Sequence, residues 1–332
     1  MDLTLPWRRW HRPLMVNVTL MIGLFLAAGV GTFVDERMLL GESVWVKPLK
    51  FGFAFTVYSA ALAWLLTRLR KAKRLGWWAG TVFAVAATVE VGAITMQAAR
   101  GTFSHFNADF TDSVNAAATQ IFTYGIAGLF LTQLVIVVLV LVQRTTDRAL
   151  TLAMRAGLGL STIGMLLPVY WMVTNIHERV VIDANGGRVT MYQGHGIGDP
   201  DGHGMPITHW SITGGDFRVP HFAGLHAIHV FLLTAAVLTV LANRRPWLDD
   251  LVRAKLVGIM TVAYTGLLAV LTWQAGRGQS LVHPDTRTLT ALAAVVLPTA
   301  AAAAALILVA KRQPHPTPAA GPPPSATSEG VA

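Results

Sequence analysis

His221, His226 and His229 are spaced so that a helix carries all three on one side. At about 100° per residue they share an arc of roughly 140°, and at about 1.5 Å per residue His229 lies roughly 12 Å deeper than His221. Neutral imidazole is the commonest metal ligand and also serves haem iron. The row therefore predicts a metal ion on His221, His226 and His229, or a haem b with one axial ligand here and another from a facing helix or from His283. Arg100 and Arg277 would then pair with the haem propionates through charge-assisted hydrogen bonds. The plainer alternative is that the histidines hydrogen-bond between helices, as polar side chains in membrane bundles do.

Glu90 is the second outlier, a lone carboxylate in an apolar run with Gln97 seven residues on and on the same helical face. Desolvation favours its neutral form, which suits a proton-relay group, while pairing with a polar group such as Tyr264 would make it structural. Gln97 recurs as Gln274, because Thr95-Met-Gln97-Ala-Ala-Arg100-Gly101 is echoed by Thr272-Trp-Gln274-Ala-Gly-Arg277-Gly278, each closing an apolar run. Two further echoes keep the order: Asp35-Glu36-Arg37 with His177-Glu178-Arg179, and Lys50-Phe51 with His221-Phe222. Repeats fix architecture, and these predict duplicated four-helix halves over residues 1–148 and 149–312. Gly after a basic residue is ordinary helix capping and Arg at an interface can snorkel, but neither explains why Thr and Gln recur. The Glu-Arg pairs are expected to fix helix ends by ion pairing.

The elements that must carry these residues are membrane spans. Of 332 residues, 53% are hydrophobic and 13% charged, and the mean hydropathy is +0.52, which is not the make-up of a soluble domain. Continuous apolar runs of about 20 residues, the length that crosses a hydrocarbon core, lie near 14–34, 51–67, 76–98, 114–142, 156–175, 222–242, 256–275 and 288–310. Eight helices follow, since backbone in lipid must satisfy its hydrogen bonds within the segment. The fold class is an all-α polytopic bundle with the lipid bilayer as its first partner. Of the 26 Lys and Arg, 17 fall on the side of the N-terminus, so both termini are placed in the cytoplasm, in a bacterial plasma membrane. The basic balance is read as topology and attraction to anionic lipid, not nucleic-acid binding. Trp77, Trp78 and Trp247 on one side, and Trp45, Trp171 and Trp273 on the other, fit interfacial belts.

Cysteine is absent, which excludes disulfides, thiolate metal sites and covalent c-type haem. The outer segment 176–220, rich in Gly, Asp and His, is expected to form a lid built on a hairpin around Arg179 to Tyr192. Its aromatic and β-branched residues favour packing and its glycines favour mobility. Nine of the eleven histidines fall on this outer side. Residues 313–332, with six prolines, read as a disordered cytoplasmic tail.

The segments Trp45-Val-Lys47-Pro48-Leu-Lys50-Phe51, Gln97-Ala-Ala-Arg100-Gly101 with Ser104-His105-Phe106-Asn107, and Gly214 through His226 resemble a group of bacterial, largely actinobacterial, multi-pass membrane proteins. That resemblance covers most of the chain and implies no mechanism. In architecture the chain is similar to haem A synthases, which join two four-helix halves with haem-binding histidines near the outer face. It departs from them in an incomplete histidine pairing, with Lys50 standing where His221 stands in the second half, and in lacking their Glu-x-x-His-Arg segment. Three readings follow: a haem- or metal-binding redox protein, a transporter or receptor for a small solute with Glu90 as the proton-coupled group, or a structural or assembly protein with no ligand. No nucleophile with its base, phosphate loop or zinc-protease pattern is present, so hydrolase and kinase chemistry have no support.

Overall fold

The computed structural model describes residues 10–143, 147–174 and 176–312. Among them, eight helices are long and apolar enough to cross a membrane: α1 (Arg12–Val34), α2 (Val46–Leu66), α3 (Lys73–Ala99), α4 (Ser113–Leu141), α5 (Arg148–Thr174), α6 (Arg218–Ala242), α7 (Asp250–Gly276) and α8 (Thr286–Arg312). The chain is an all-α, multi-pass membrane bundle. The proline-rich tail expected from Gln313 onward lies outside the described residues.

Local chemistry sets the helix starts. His11 caps α1, with Nδ1 accepting from the Leu14 amide at 3.3 Å, and Asp112 and Asp249 cap α4 and α7 in the same way. The helices begin earlier than the apolar runs suggest, α5 and α6 among them. Residues 148–155 already belong to α5 and Arg218 opens α6, because polar first turns extend a helix beyond its lipid-facing length. The outer loop accordingly ends at Phe217, and His221 stands inside the first turns of α6.

One continuous core joins Leu62 of α2, Phe83 of α3, Ile136 of α4, Leu158 of α5 and Phe231 of α6. Helices α5 and α6 cross at contact distance: a Cβ on Gly164 would sit 2.7 Å from Gly224 Cα, so both positions exclude a side chain. Asn17 of α1 ties the first three helices, accepting from Ser59 Oγ at 2.8 Å and donating to Thr88 Oγ1 at 2.8 Å. Packing pairs α1 with α2, α3 with α4, α5 with α6 and α7 with α8, and α1 also touches α3 as α5 touches α7. Helix α8 lies at the periphery, resting on α7 through Val295 against Gly266.

The connections α1–α2, α3–α4, α5–α6 and α7–α8 meet on one face as a lid. Short antiparallel pairs β1–β2 (Met38–Leu39 with Glu42–Ser43), β3–β4 (Arg179–Ile182 with Arg188–Met191) and β5–β6 (Gly196–Ile197 with Gly215–Asp216) shape it. The expected hairpin is therefore present. It packs Val189 and Met191 on Phe103 and Phe106, and the Tyr192 amide bonds to Phe106 O at 3.0 Å. Trp171 stacks on Phe217 at 4.3 Å and donates to Gly194 O at 3.0 Å. Gly198, Gly202 and Gly204 take φ of +82°, +73° and +108°, so these lid glycines serve left-handed turns in a packed segment.

Candidate functional site

A cluster of cations lies directly beneath the lid, where α2 and α6 both begin. Lys47 and Lys50 are one turn apart on α2 and Arg218 opens α6. Lys50 Nζ pairs with Glu42 Oε1 of β2 at 2.6 Å and donates to Thr208 O of the lid at 3.2 Å. Arg218 pairs with Asp216 Oδ2 at 2.7 Å and donates to His209 O at 2.7 Å. Asp216, 3% exposed, also accepts from the Ser211 amide at 3.0 Å. Lys47 has no ion pair among the described residues, and its Nζ lies 3.2 Å from His105 Nδ1. Ser104 Oγ stands 3.1 Å from the same nitrogen, so the His105 tautomer sets which of the groups donates.

Two loop histidines complete the cluster. His195 of the lid packs on Phe106 at 5.2 Å, and its buried Nδ1 has no hydrogen-bond partner. Burial holds the His195 pKa well below the ordinary histidine range, and the charges of Arg218, Lys47, His105 and Lys50 push it in the same direction. Burial, followed by the charge of Lys47, does the same to His105. Both imidazoles are therefore neutral at pH 7. His105 also stacks on Phe122 at 4.5 Å and lines a small open pocket with Ser104, Asn107, Thr119, Thr123 and Tyr192.

The histidine row is divided. His226 and His229 meet, Nδ1 to Nδ1, at 3.3 Å, and His229 lies edge-on to Tyr58 of α2 at 5.7 Å. His229 Nε2 and the Tyr58 hydroxyl are buried without hydrogen bonds. This contact fixes the register of two parallel helices, since Tyr58 and His229 each lie eleven residues below Lys47 and Arg218. His221 turns to α5 instead, with Nδ1 2.7 Å from Gly164 O. His283 is exposed and bonds Ile212 O of the lid at 2.9 Å. Among the described residues no group of three or more His, Cys, Asp or Glu is arranged to hold a metal ion.

Arg100 and Arg277 are committed elsewhere. Arg100 pairs with Asp112, the cap of α4, and Arg277 pairs with Asp285, which accepts from the Thr288 amide at the start of α8. Each arginine thus clamps the end of one helix to the start of the next, paired with a carboxylate of the chain where a haem propionate was expected. The recurring glutamines have a matching job. Gln274 Nε2 donates to Ser280 O at 2.7 Å; Gln97 Nε2 reaches the corresponding Phe103 O at 3.5 Å and Asn115 Oδ1 at 2.9 Å. Gly101 and Gly278 take φ of +72° and +70°, and Thr95 and Thr272 bond back to Val91 O and Leu268 O. The whole segment is a helix-end clamp, which accounts for every recurring residue type.

Other expectations move as well. Glu90, 5% exposed, faces Gly125 of α4 with Oε2 unpartnered. Tyr264 is not its partner, because the Tyr264 hydroxyl donates to Ala223 O at 2.7 Å. Arg37 pairs with Asp35 rather than Glu36, and Arg179 with Asp201 rather than Glu178. The adjacent glutamates, Glu36 and Glu178, are exposed. Lys47, Arg218, Glu42, Asp216 and His195 were not singled out by spacing. The usable signal was charge sign, since Lys47 and Lys50 lie on the face that the positive-inside bias leaves poor in lysine. No protein-family model, curated protein or solved structure matches the chain, which leaves the cationic cluster itself as the ground for a function.

Proposed function

We propose that this membrane protein binds a small anionic solute at the cluster beneath the lid, as a receptor or transporter in the bacterial plasma membrane with its termini in the cytoplasm. One observation carries the reading: Lys47, Lys50 and Arg218 share two paired carboxylates, Glu42 and Asp216, so a protonated Lys47 has no counter-ion among the described residues. The N-terminal ends of α2 and α6 point the same way, and their dipoles favour negative charge there. The buried His195 Nδ1 without a partner is a further group for a ligand to satisfy. Transport is favoured by the proposed duplication into residues 1–148 and 149–312. The like packing of helix pairs and the matching helix-end clamps support that duplication, and paired halves around a central site suit alternating access.

The test is calorimetric titration of the detergent-purified protein with sulfate and succinate at pH 7.5. Binding that weakens about tenfold or more in Lys47→Met and Lys50→Gln, roughly 1.4 kcal/mol for one lost charge contact, is expected. No binding of either anion refutes the reading. A stoichiometric b-type absorption band lost in His226→Ala would return the histidines to haem.

A further inference from the structure

We infer that each anion bound at this cluster brings one proton with it, carried by Lys47, so that binding of the anion and uptake of the proton are coupled one to one. This rests on the anion-binding reading and adds its coupling.

Among the described residues, the charged and titratable groups facing Lys47 can be named. Lys50 lies one turn along α2 with its charge taken up by Glu42 of β2, and Arg218 of α6 has its charge taken up by Asp216. His105 from the α3–α4 connection and His195 from the lid are the remaining neighbours, and both are neutral. The sum without Lys47 is therefore zero. A protonated Lys47 is the one uncompensated charge, set beside two other cations under a packed lid. A desolvated charge without a partner is relieved either by a counter-ion or by losing its proton, and lysine, unlike arginine, can do the second. The empty cluster then holds a neutral amine hydrogen-bonded to His105 Nδ1, and the filled cluster holds an ammonium beside the anion.

The fold also provides a proton route. His105 belongs both to the cluster, through Nδ1 on Lys47, and to the open pocket formed with Ser104, Asn107, Thr119, Thr123 and Tyr192. In its Nδ1–H tautomer that imidazole can take a proton at Nε2 and pass the Nδ1 proton to the Lys47 amine, ending as a neutral ring whose Nδ1 accepts from the ammonium, while the lid stays closed. Glu90, by contrast, sits between α3 and α4 against Gly125, so the coupling is assigned to Lys47.

The experiment titrates sulfate and succinate into the full-length protein at pH 7.5 in two buffers of different ionisation enthalpy. The slope of observed heat on buffer enthalpy counts protons taken up. The expected uptake is close to one per anion for the wild type and for Glu90→Gln, and near zero for Lys47→Arg, whose guanidinium keeps its proton. In the wild type, affinity should also fall with rising pH, approaching tenfold per unit once the amine is deprotonated. Binding with no uptake, uptake that persists in Lys47→Arg, uptake lost in Glu90→Gln, or a pH-independent affinity each overturns the inference while leaving anion binding standing. Failure of both anions to bind overturns the two together.

Discussion

Replacing Asp216 with Asn should loosen the lid without disturbing the spans. The substitution keeps the shape and removes the charge from a carboxylate that accepts from the Ser211 amide, the Arg218 amide and the Arg218 guanidinium at 2.7 to 3.0 Å. Breaking one partner of a buried ion pair costs about 3 to 5 kcal/mol. Side-chain exposures are 2% for Asp216 and 16% for Arg218. Because Arg218 keeps its hydrogen bonds to His209 O and Asp201 O, the lower end applies, about 3 kcal/mol. That corresponds to roughly 150-fold in an opening equilibrium. Hydrogen exchange followed by mass spectrometry should show lid amides over residues 195–217 exchanging about 150-fold faster, with core peptides of α3 and α5 unchanged. A change below about threefold in the lid would refute the view that this pair pins it to α6.

Acid should open the same lid. His195 is kept neutral by burial and by the cations around it, and an opened lid frees it to bind a proton below its ordinary 6.5. The open state then binds more protons, so lid stability falls as pH drops below about 6.5, by up to ~1.4 kcal/mol per unit. Lid exchange corrected for its intrinsic pH dependence should show that slope, and His195→Asn should flatten it. Gly278→Ala forces an L side chain to φ +70° with a Cβ 3.2 Å from Ile197, which costs about 1 to 2 kcal/mol. Thermal unfolding in detergent should drop for that variant and not for Gly23→Ala, where no atom lies within 4 Å of the new Cβ. Equal effects of the two would contradict the helix-end clamp.

The spans were legible because a continuous apolar run long enough for a bilayer has few other structural outcomes. Their polar ends were not: residues 148–155 and Arg218 lie in helical first turns that hydropathy does not register. The hairpin could be read because Val180, Val181, Ile182 and Val189 flank the turn-forming Asn185-Gly186-Gly187. The histidines of α6 were visible as residues, yet their roles depended on neighbours the spacing does not name, Gly164 O for His221 and Tyr58 for His229. Arg100 and Arg277 looked free because Asp112 and Asp285 lie twelve and eight residues away, across turns whose path only the fold decides. Lys47 escaped notice for a related reason. One lysine at a span end is unremarkable until His105, His195 and Arg218 gather around it and its neighbour Lys50 from segments far apart in the chain.

The most direct measurement is where an anion sits. A crystal structure with selenate, a heavier analogue of sulfate, collected at the selenium edge, should give an anomalous peak within hydrogen-bonding reach of Lys47 Nζ and near His195 Nδ1. Peaks confined to the basic loops of the opposite face, with none under the lid, would contradict the anion site.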